Sequence, residues 1–557
     1  MGPRMKYFKG LTISTLLLVM EVSMESNVST AAGQVRGLDV GPAMAYLGIP
    51  YGAPTSGDNR FRAPQPVTPW AGVRDATVFG PAAPQQTPNA ASRAMMLEHG
   101  VPEVAQGFSS LLYPHSGSPL QGTFIDEDCL MLNVWAPAGK ASGALPVMVW
   151  LHGGAFVHGA GSEPAFNGDR LADHGDVVVV TVNHRLGVLG FLPYSGPDFP
   201  DAGQAGMLDI VAALEWVKLN IGQFGGDPAN VTVFGQSGGG MKISALMAMP
   251  QADGLFHKAI IQSGAGLQLL EQDAAELLLS ALLTELKLET EGSAVVGGSI
   301  EKLKQVPVEA LLAAQAVAMA RTPEVVFGFA PVIDGTTIVG HPLQGVGSSA
   351  SEVPLLIGCT SEEFGLFLAM DPGYMSADEA SLAVRLEQGY GDLAEDLLVS
   401  YKAAFPDADA KEILRRMETD RHIRVSNRQF VELKHRNSKA PVYGYLFNYP
   451  TGVLQGQLGA AHSVDLAFVF GNQDRIPLSG VLEGRDEIAY QMVSAWTSFA
   501  HSGMPSSEAL PVWPEHNPAT VATMVFGWPE SMVVQDPDGD RLKVMEKLTS
   551  GLFPRKP

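Results

Sequence analysis

The sequence predicts an α/β fold in which a large, mostly parallel central sheet is covered by helices on both faces. Three observations carry that prediction. Short β-branched runs are apolar at every position, not at alternate ones, as in strands buried on both faces. Helix-patterned segments separate these runs, and such alternation points to crossovers between parallel strands. No Pro/Gly/Ser-rich linker, charge block or solenoid-period repeat divides the 557 residues, so a single domain is expected over residues 34–557.

The elements follow in order. Arg4, Lys6 and Lys9 precede an apolar run from Leu11 to Met20, which has the charge and length of a signal peptide. Glu21 ends that run well short of the ~20 residues that span a bilayer. Residues 1–33 are therefore assigned to a leader with small residues at Ser29-Thr30-Ala31, and the protein to a secreted or periplasmic location without a stable membrane span. The alternative is an unprocessed, frayed terminus. Pro146 to Leu151 (PVMVWL) and Val177 to Val182 (VVVVTV) read as buried strands. Leu208 to Leu219 has helical spacing, and Gly225-Gly226-Asp227-Pro228 stops it,. Val231 to Phe234 is a short strand, Met241 to Met249 a helix, and Ala259 to Gln262 a strand again. Helix-rich stretches near 270–320 and 375–435 are placed as insertions capping the sheet. Further strands are expected at Pro354 to Cys359 and Val442 to Asn448, and a closing helix from about Asp486 to Ala500.

Composition excludes several classes. A hydrophobic content of 46% is far from the signature of disorder,. The net charge of −22 repels phosphate backbones, so no nucleic-acid partner is expected,. Two cysteines, Cys129 and Cys359, build neither a disulfide framework nor a zinc-ligand pattern,. Two separate thiols and no metal are expected.

The motif that carries chemistry is Gly235-Gln236-Ser237-Gly238-Gly239, between the strand VTVF and the following helix. G-x-S-x-G at a strand–helix junction is a nucleophile elbow, in which a tight turn pushes the serine hydroxyl into the open. The glycines let strand and helix approach, and the first helical N–H groups favour developing negative charge at the same spot. A Gly-rich anion-binding nest is the plain alternative. His152-Gly153-Gly154-Ala155-Phe156 directly follows the strand PVMVWL. Loops of this kind, with the residue after the nucleophile, supply the N–H donors of an oxyanion hole. Gly154, Ala155 and Gly238 are those candidates here.

At this point the chain resembles the type-B carboxylesterase/lipase family, which includes cholinesterases and bacterial carboxylesterases, over nearly all of its length after residue 34. YLGIPY at 46–51, RFRAP at 60–64 and Trp70 are similar to the N-terminal stretch of that family. Glu127-Asp128-Cys129-Leu130 with Leu132-Asn133-Val134-Trp135 matches its EDCLxLNVW signature. FGGDPANVTVFGQSGGG at 224–240 matches its nucleophile signature, with Gln236 and Gly238 where Glu and Ala are commoner. The resemblance implies an α/β-hydrolase fold and cofactor-free hydrolysis by a Ser-Glu-His triad. It places the acid in Gly358 to Gly365 at Glu363, with Glu362 open as the alternative because Phe364 stands where glycine is usual. It places the base at His462, within GAAHSVDLAFVFG at 459–471, and gives Ser263 and Gln236 supporting positions. FGPAAPQ at 79–85 lacks the cysteine that usually pairs with that of EDC, so that disulfide is absent.

The chain order nucleophile, acid, base gives an independent check. Of the thirteen histidines, His99, His115, His152, His158, His174 and His184 precede Ser237, and His257 and His341 precede the acid candidates. His422 and His435 lie in an Arg/Lys-containing helical stretch, His501 ends a helix, and His516 sits in a Pro-rich tail. His462 remains. The expected mechanism has His462 take the proton of Ser237 as it attacks an ester carbonyl, with Glu363 stabilising the imidazolium.

The substrate is a small-molecule ester, otherwise unspecified. Thr87 to Phe124 contains no tryptophan, which argues against a choline-binding aromatic face. Leu267, Leu269 and Leu270 are candidates for an acyl pocket or for plain core, and so are Met95 and Met96. An amidase or thioesterase on the same machinery is the nearest rival. A non-catalytic adhesion relative is disfavoured because serine, acid and histidine are all retained.

Overall fold

The computed structural model describes residues 27–86, 124–139, 144–194, 196–288, 297–344, 349–371 and 373–547. The apolar run at 11–20, Met95, Met96, His99, His115 and most of the Thr87 to Phe124 stretch lie outside these residues. Fourteen strands are described: β1 (Asn27–Thr30), β2 (Gly33–Arg36), β3 (Leu38–Asp39), β4 (Ala43–Pro50), β5 (Val73–Asp75), β6 (Met131–Pro137), β7 (Leu145–Leu151), β8 (Val178–Val182), β9 (Gly226–Gln236), β10 (Lys258–Gln262), β11 (Leu355–Thr360), β12 (Val442–Phe447), β13 (Ala522–Phe526) and β14 (Met532–Gln535). Eleven form the central sheet, in the order β14-β13-β12-β11-β10-β9-β7-β8-β6-β4-β3. The run from β8 to β13 is parallel throughout. Antiparallel strands close both edges.

The uniformly apolar runs have a direct physical cause. Along β7, Val147, Val149 and Leu151 enter one core cluster while Met148 and Trp150 enter another on the opposite face. The same split recurs at Val178/Val179, Val233/Phe234 and Ile260/Ile261. Successive strand side chains alternate faces, so a sheet covered twice needs apolar residues at every position. Trp150 shows how tightly the second face is packed, with ring centroids of Phe166, Phe234 and Phe470 at 4.9, 4.8 and 5.1 Å.

Several boundaries move. β9 begins at Gly226, not at Val231, so Asp227-Pro228 lies inside an extended strand. The helix after the serine begins at Gly238, not near Met241. The edge strands β4 and β6 coincide with YLGIPY and LNVW. Residues 27–33, placed in the leader from the sequence, include β1 and the start of β2, which pair antiparallel, and Ala31 N–H donates to Asn220 Oδ1 at 2.8 Å. Both insertions are helical. Helices Gln272–Glu285 and Val308–Arg321 join the main core. The second insertion, from Glu379–Tyr390 to Val425–Asn437, packs largely in a cluster of its own around Leu386, Tyr401, Leu414 and Met417. Cys129 and Cys359 are separate buried thiols, each pushed well up by burial. Among the described residues, no helix is long and apolar enough to cross a membrane, and no group of His, Cys, Asp and Glu is arranged to hold a metal.

Candidate active site

Ser237 caps the helix Gly238–Leu246 at the end of β9, with φ 55° and ψ −123°. Few non-glycine residues adopt that conformation. The surrounding backbone shows what holds it there. Ser237 N–H donates to Gln262 O at 2.8 Å, which ties the turn to β10. A Cβ on Gly239 would stand 1.9 Å from Leu151 O, so only glycine lets the helix start this close to β7. Ser237 is half-buried. Ala155, Ser263 and Ser463 also have positive φ (51°, 52° and 69°). Each such residue costs about 1–3 kcal/mol, and strain of this kind persists only where the surrounding structure enforces it.

The loop predicted to form an oxyanion hole leaves β7 and folds over the helix start. Gly154 has φ 85°, and its carbonyl accepts from His158 N at 3.0 Å, closing the turn. A Cβ on Gly238 would lie 2.2 Å from Ala155 O and 2.5 Å from Ala155 N. Gly238 and Ala155, two of the three predicted donors, are therefore in immediate backbone contact. This also explains Gly238 itself: with the loop this close, an alanine has no room.

Glu363 and His462 meet across 99 residues of sequence, His462 Nδ1 hydrogen-bonding Glu363 Oε2. The other Glu363 oxygen accepts from Thr360 N–H at 2.7 Å, and His462 N–H donates to Glu363 O at 3.1 Å. Glu362 points elsewhere. Its carboxylate pairs with Arg415 and, at 3.5 Å, with Arg416. Arg415 also reaches Tyr374 Oη at 2.7 Å and Gln457 O at 3.0 Å. The two neighbouring carboxylates thus have separate partners.

His462 Nε2, the nitrogen that would face a nucleophile, lies 3.1 Å from Gln236 Nε2. The Ser237 hydroxyl is not hydrogen-bonded to it in this resting arrangement. Ser263, predicted to support the triad by hydrogen bonding, keeps its hydroxyl buried without a partner among the described residues. Its backbone N–H donates to Gly358 O at 2.8 Å, linking β10 to β11. Leu267 and Leu269 are buried in the main core. Leu269 and Leu270 also line, with Phe156 beside the oxyanion loop, a cavity of about 300 Å³.

Lys242 and Asp465 were not singled out from the sequence, nor was the pairing of His152 with His184. Lys242, fully buried one turn into the helix, donates to His152 O at 2.8 Å and so anchors the base of the oxyanion loop. Burial pushes its ammonium down to about 7. His152 and His184 stack at 4.9 Å beside it, and burial together with Lys242 holds both well below the ordinary histidine range. Asp465, three residues after His462, accepts from Gln262 Nε2 at 3.0 Å and Tyr445 Oη–H at 3.3 Å. Burial, and then the Glu363 charge, push its carboxyl up to about 6. A lysine inside the apolar pattern MKISALM was the only signal for Lys242.

Comparison with known proteins identifies the family. A profile of the carboxylesterase family matches residues 24–541. The chain is 36% identical to the para-nitrobenzyl esterase of Bacillus subtilis (strain 168) over 523 residues, covering 92% of this chain and 97% of that one. It is 32% identical to the phenmedipham hydrolase of Pseudarthrobacter oxydans, covering 91% and 96%. Among solved structures, a carboxylesterase from Geobacillus stearothermophilus superposes with a TM-score of 0.76 at 34% identity, over 93% of this chain and 99% of that one. A thermophilic PNB esterase gives 0.75 at the same identity and coverage.

Proposed function

Because this chain belongs to the carboxylesterase family, has the α/β-hydrolase fold and is a carboxylic-ester hydrolase, we propose that it works through an acyl-enzyme on Ser237, with His462 as base and Glu363 as the acid that orients it. The observation that carries this reading is the Glu363–His462 contact beside a serine held at φ 55°. Glu363 fixes the imidazole with its proton on Nδ1 and leaves Nε2 to accept from a hydroxyl. In the resting arrangement the Gln236 amide faces Nε2. Attack requires Ser237 Oγ–H to take that place, a tightening expected on substrate binding.

The steps follow from those positions. His462 Nε2 accepts the Ser237 proton as Oγ bonds to the ester carbonyl carbon. The carbonyl oxygen becomes an oxyanion held by the N–H groups of Gly154, Ala155 and Gly238. Collapse breaks the carbon–alkoxide bond, and the imidazolium returns its proton to the departing alcohol. Water, deprotonated by the same imidazole, then attacks the acyl carbon; the acyl–Oγ bond breaks, and the imidazolium returns its proton to Ser237 Oγ as the carboxylic acid departs. No step needs a metal or an organic cofactor.

Labelling with an organophosphonate, followed by peptide mass mapping, tests the nucleophile. The adduct is expected on Ser237, with Ser237→Ala unlabelled and its kcat reduced about 10³-fold or more. An adduct elsewhere, or turnover near wild type in that variant, overturns the assignment. We further propose export, with the leader cut before Asn27, since β1 is part of the fold. A mature N-terminus beyond Asn27 would refute that boundary.

A further inference from the structure

We infer that Lys242 is a positioning residue, whose ammonium locks together the two segments that carry the proposed oxyanion donors. The inference rests on the roles proposed for Ser237, Gly154, Ala155 and Gly238, and adds the group that aligns them.

The proposed donors come from separate pieces of chain. Gly154 and Ala155 lie in the loop after β7, and Gly238 begins the helix after β9. An oxyanion is held well only where donors from both pieces are fixed on one spot. Lys242 stands on that same helix, one turn after Gly238, and its side chain is completely buried. Its Nζ–H donates to His152 O at 2.8 Å, at the start of the loop. Nζ also stands 6.0 Å from the ring centroid of Phe156, at the other end of the loop, near the limit at which a π face attracts a cation. One ammonium thus bridges the helix to both ends of the loop, with Gly154 and Ala155 between them.

Packing alone would be better served by an apolar side chain. Met241, Ile243, Ala245 and Leu246 around it on the helix all belong to the apolar core. A buried ammonium is costly unless its charge and its donors are met. Lys242 has three donors, and among the described residues His152 O is their only hydrogen-bond acceptor. Glu163 is the charge that favours the ammonium, yet burial outweighs it and pushes the group down to about 7. A local rule broken in this way beside a reacting centre points to function, not to stability. Lys242 acts through the loop, so its effect falls where the carbonyl oxygen becomes charged, not on ground-state binding.

Two variants separate this role from a structural one. Lys242→Met removes both charge and donor at similar length. Lys242→Gln keeps an N–H for His152 O without the charge, and guards against failure of the first variant to fold. Turnover is expressed per serine titrated with the organophosphonate, so misfolded chains do not count. In Lys242→Met, kcat is expected to fall about 10- to 100-fold, the scale of misaligned donors, with KM within about twofold of wild type. In Lys242→Gln the expected fall is about 3- to 10-fold, because a neutral donor holds the carbonyl less tightly. The inhibition constant of a trifluoromethyl ketone, whose adduct on Ser237 bears an oxyanion, is expected to rise in step with the fall in kcat/KM. A merely structural lysine would lower the number of titratable serines and leave the turnover of each unchanged. That result, or a loss confined to KM with ketone inhibition unaltered, overturns the inference. An adduct formed away from Ser237 in the wild-type protein would instead overturn the triad, so the two failures are distinguishable.

Discussion

The segment from Gly226 to Leu246 carries Ser237 on one strand, one turn and one helix, whereas Glu363 and His462 come from two loops 99 residues apart and meet only in the folded chain. The first is local and costs backbone strain, visible in the positive φ of Ser237 and accommodated by glycines on either side. The second has little strain of its own in the acid, whose carboxylate is fully buried and held by a backbone N–H and an imidazole. It depends instead on bracing from elsewhere. Arg415, in the second helical insertion, engages Glu362 and Gln457 O, which flank the acid loop and the base loop. The contrast teaches that the turn proposed to carry the nucleophile can be specified by a short sequence, while a carboxylate–imidazole contact is specified by whatever fixes two distant loops against each other.

That contrast breaks most sharply at the two adjacent carboxylates. Glu363→Gln is expected to lower kcat about 10⁴-fold, because an amide favours the wrong imidazole tautomer, with little change in thermal midpoint. Glu362→Gln is expected to do the reverse. It leaves the nearly buried Arg415 guanidinium without its carboxylate, at a cost of about 3–5 kcal/mol in stability by denaturant titration, with a far smaller loss of kcat in what remains folded. Exchanged outcomes would move the acid to Glu362.

Gly238→Ala sharpens the local side. Its methyl group meets the Ala155 backbone and must displace the oxyanion loop. We expect about a 100-fold loss in kcat with KM little altered, the scale of one lost oxyanion donor. Steady-state kinetics at wild-type levels would show that the loop yields freely.

The smallest expected effect concerns pH and the base loop. The Asp465 carboxyl is raised to about 6 in the folded protein, against an ordinary value near 3.9 in the unfolded chain. Between those values the native state holds a proton that the unfolded state has released, so this group lowers stability as pH climbs from about 4 to above 6. Asp465→Asn removes the dependence. Its unfolding free energy by denaturant titration is expected to improve relative to wild type across that window, by up to about 3 kcal/mol. A difference independent of pH would contradict the assignment.

Particular residues show what was legible beforehand. The elbow at 235–239 and the loop at 152–156 are local patterns, because turn geometry and close backbone approach restrict which residues can stand there. His462 was reachable by chain order. The resemblance put the acid at Glu363 with Glu362 left open, and the two differ only in where the turn after β11 aims them, Glu363 toward His462 and Glu362 toward Arg415. Lys242 and Asp465 were hidden for a related reason: the sequence does not show which helix face meets a loop returning from far along the chain.

Sequence alone therefore determined the layered architecture and the nucleophile turn, through apolar runs that demand two covered faces and glycines that permit close approach. Tertiary structure decided between the two adjacent carboxylates that the sequence left open, and what braces the one facing the imidazole. Those outcomes depend on contacts between segments about a hundred residues apart, and pairing over such distances is set by packing of the whole sheet and its insertions.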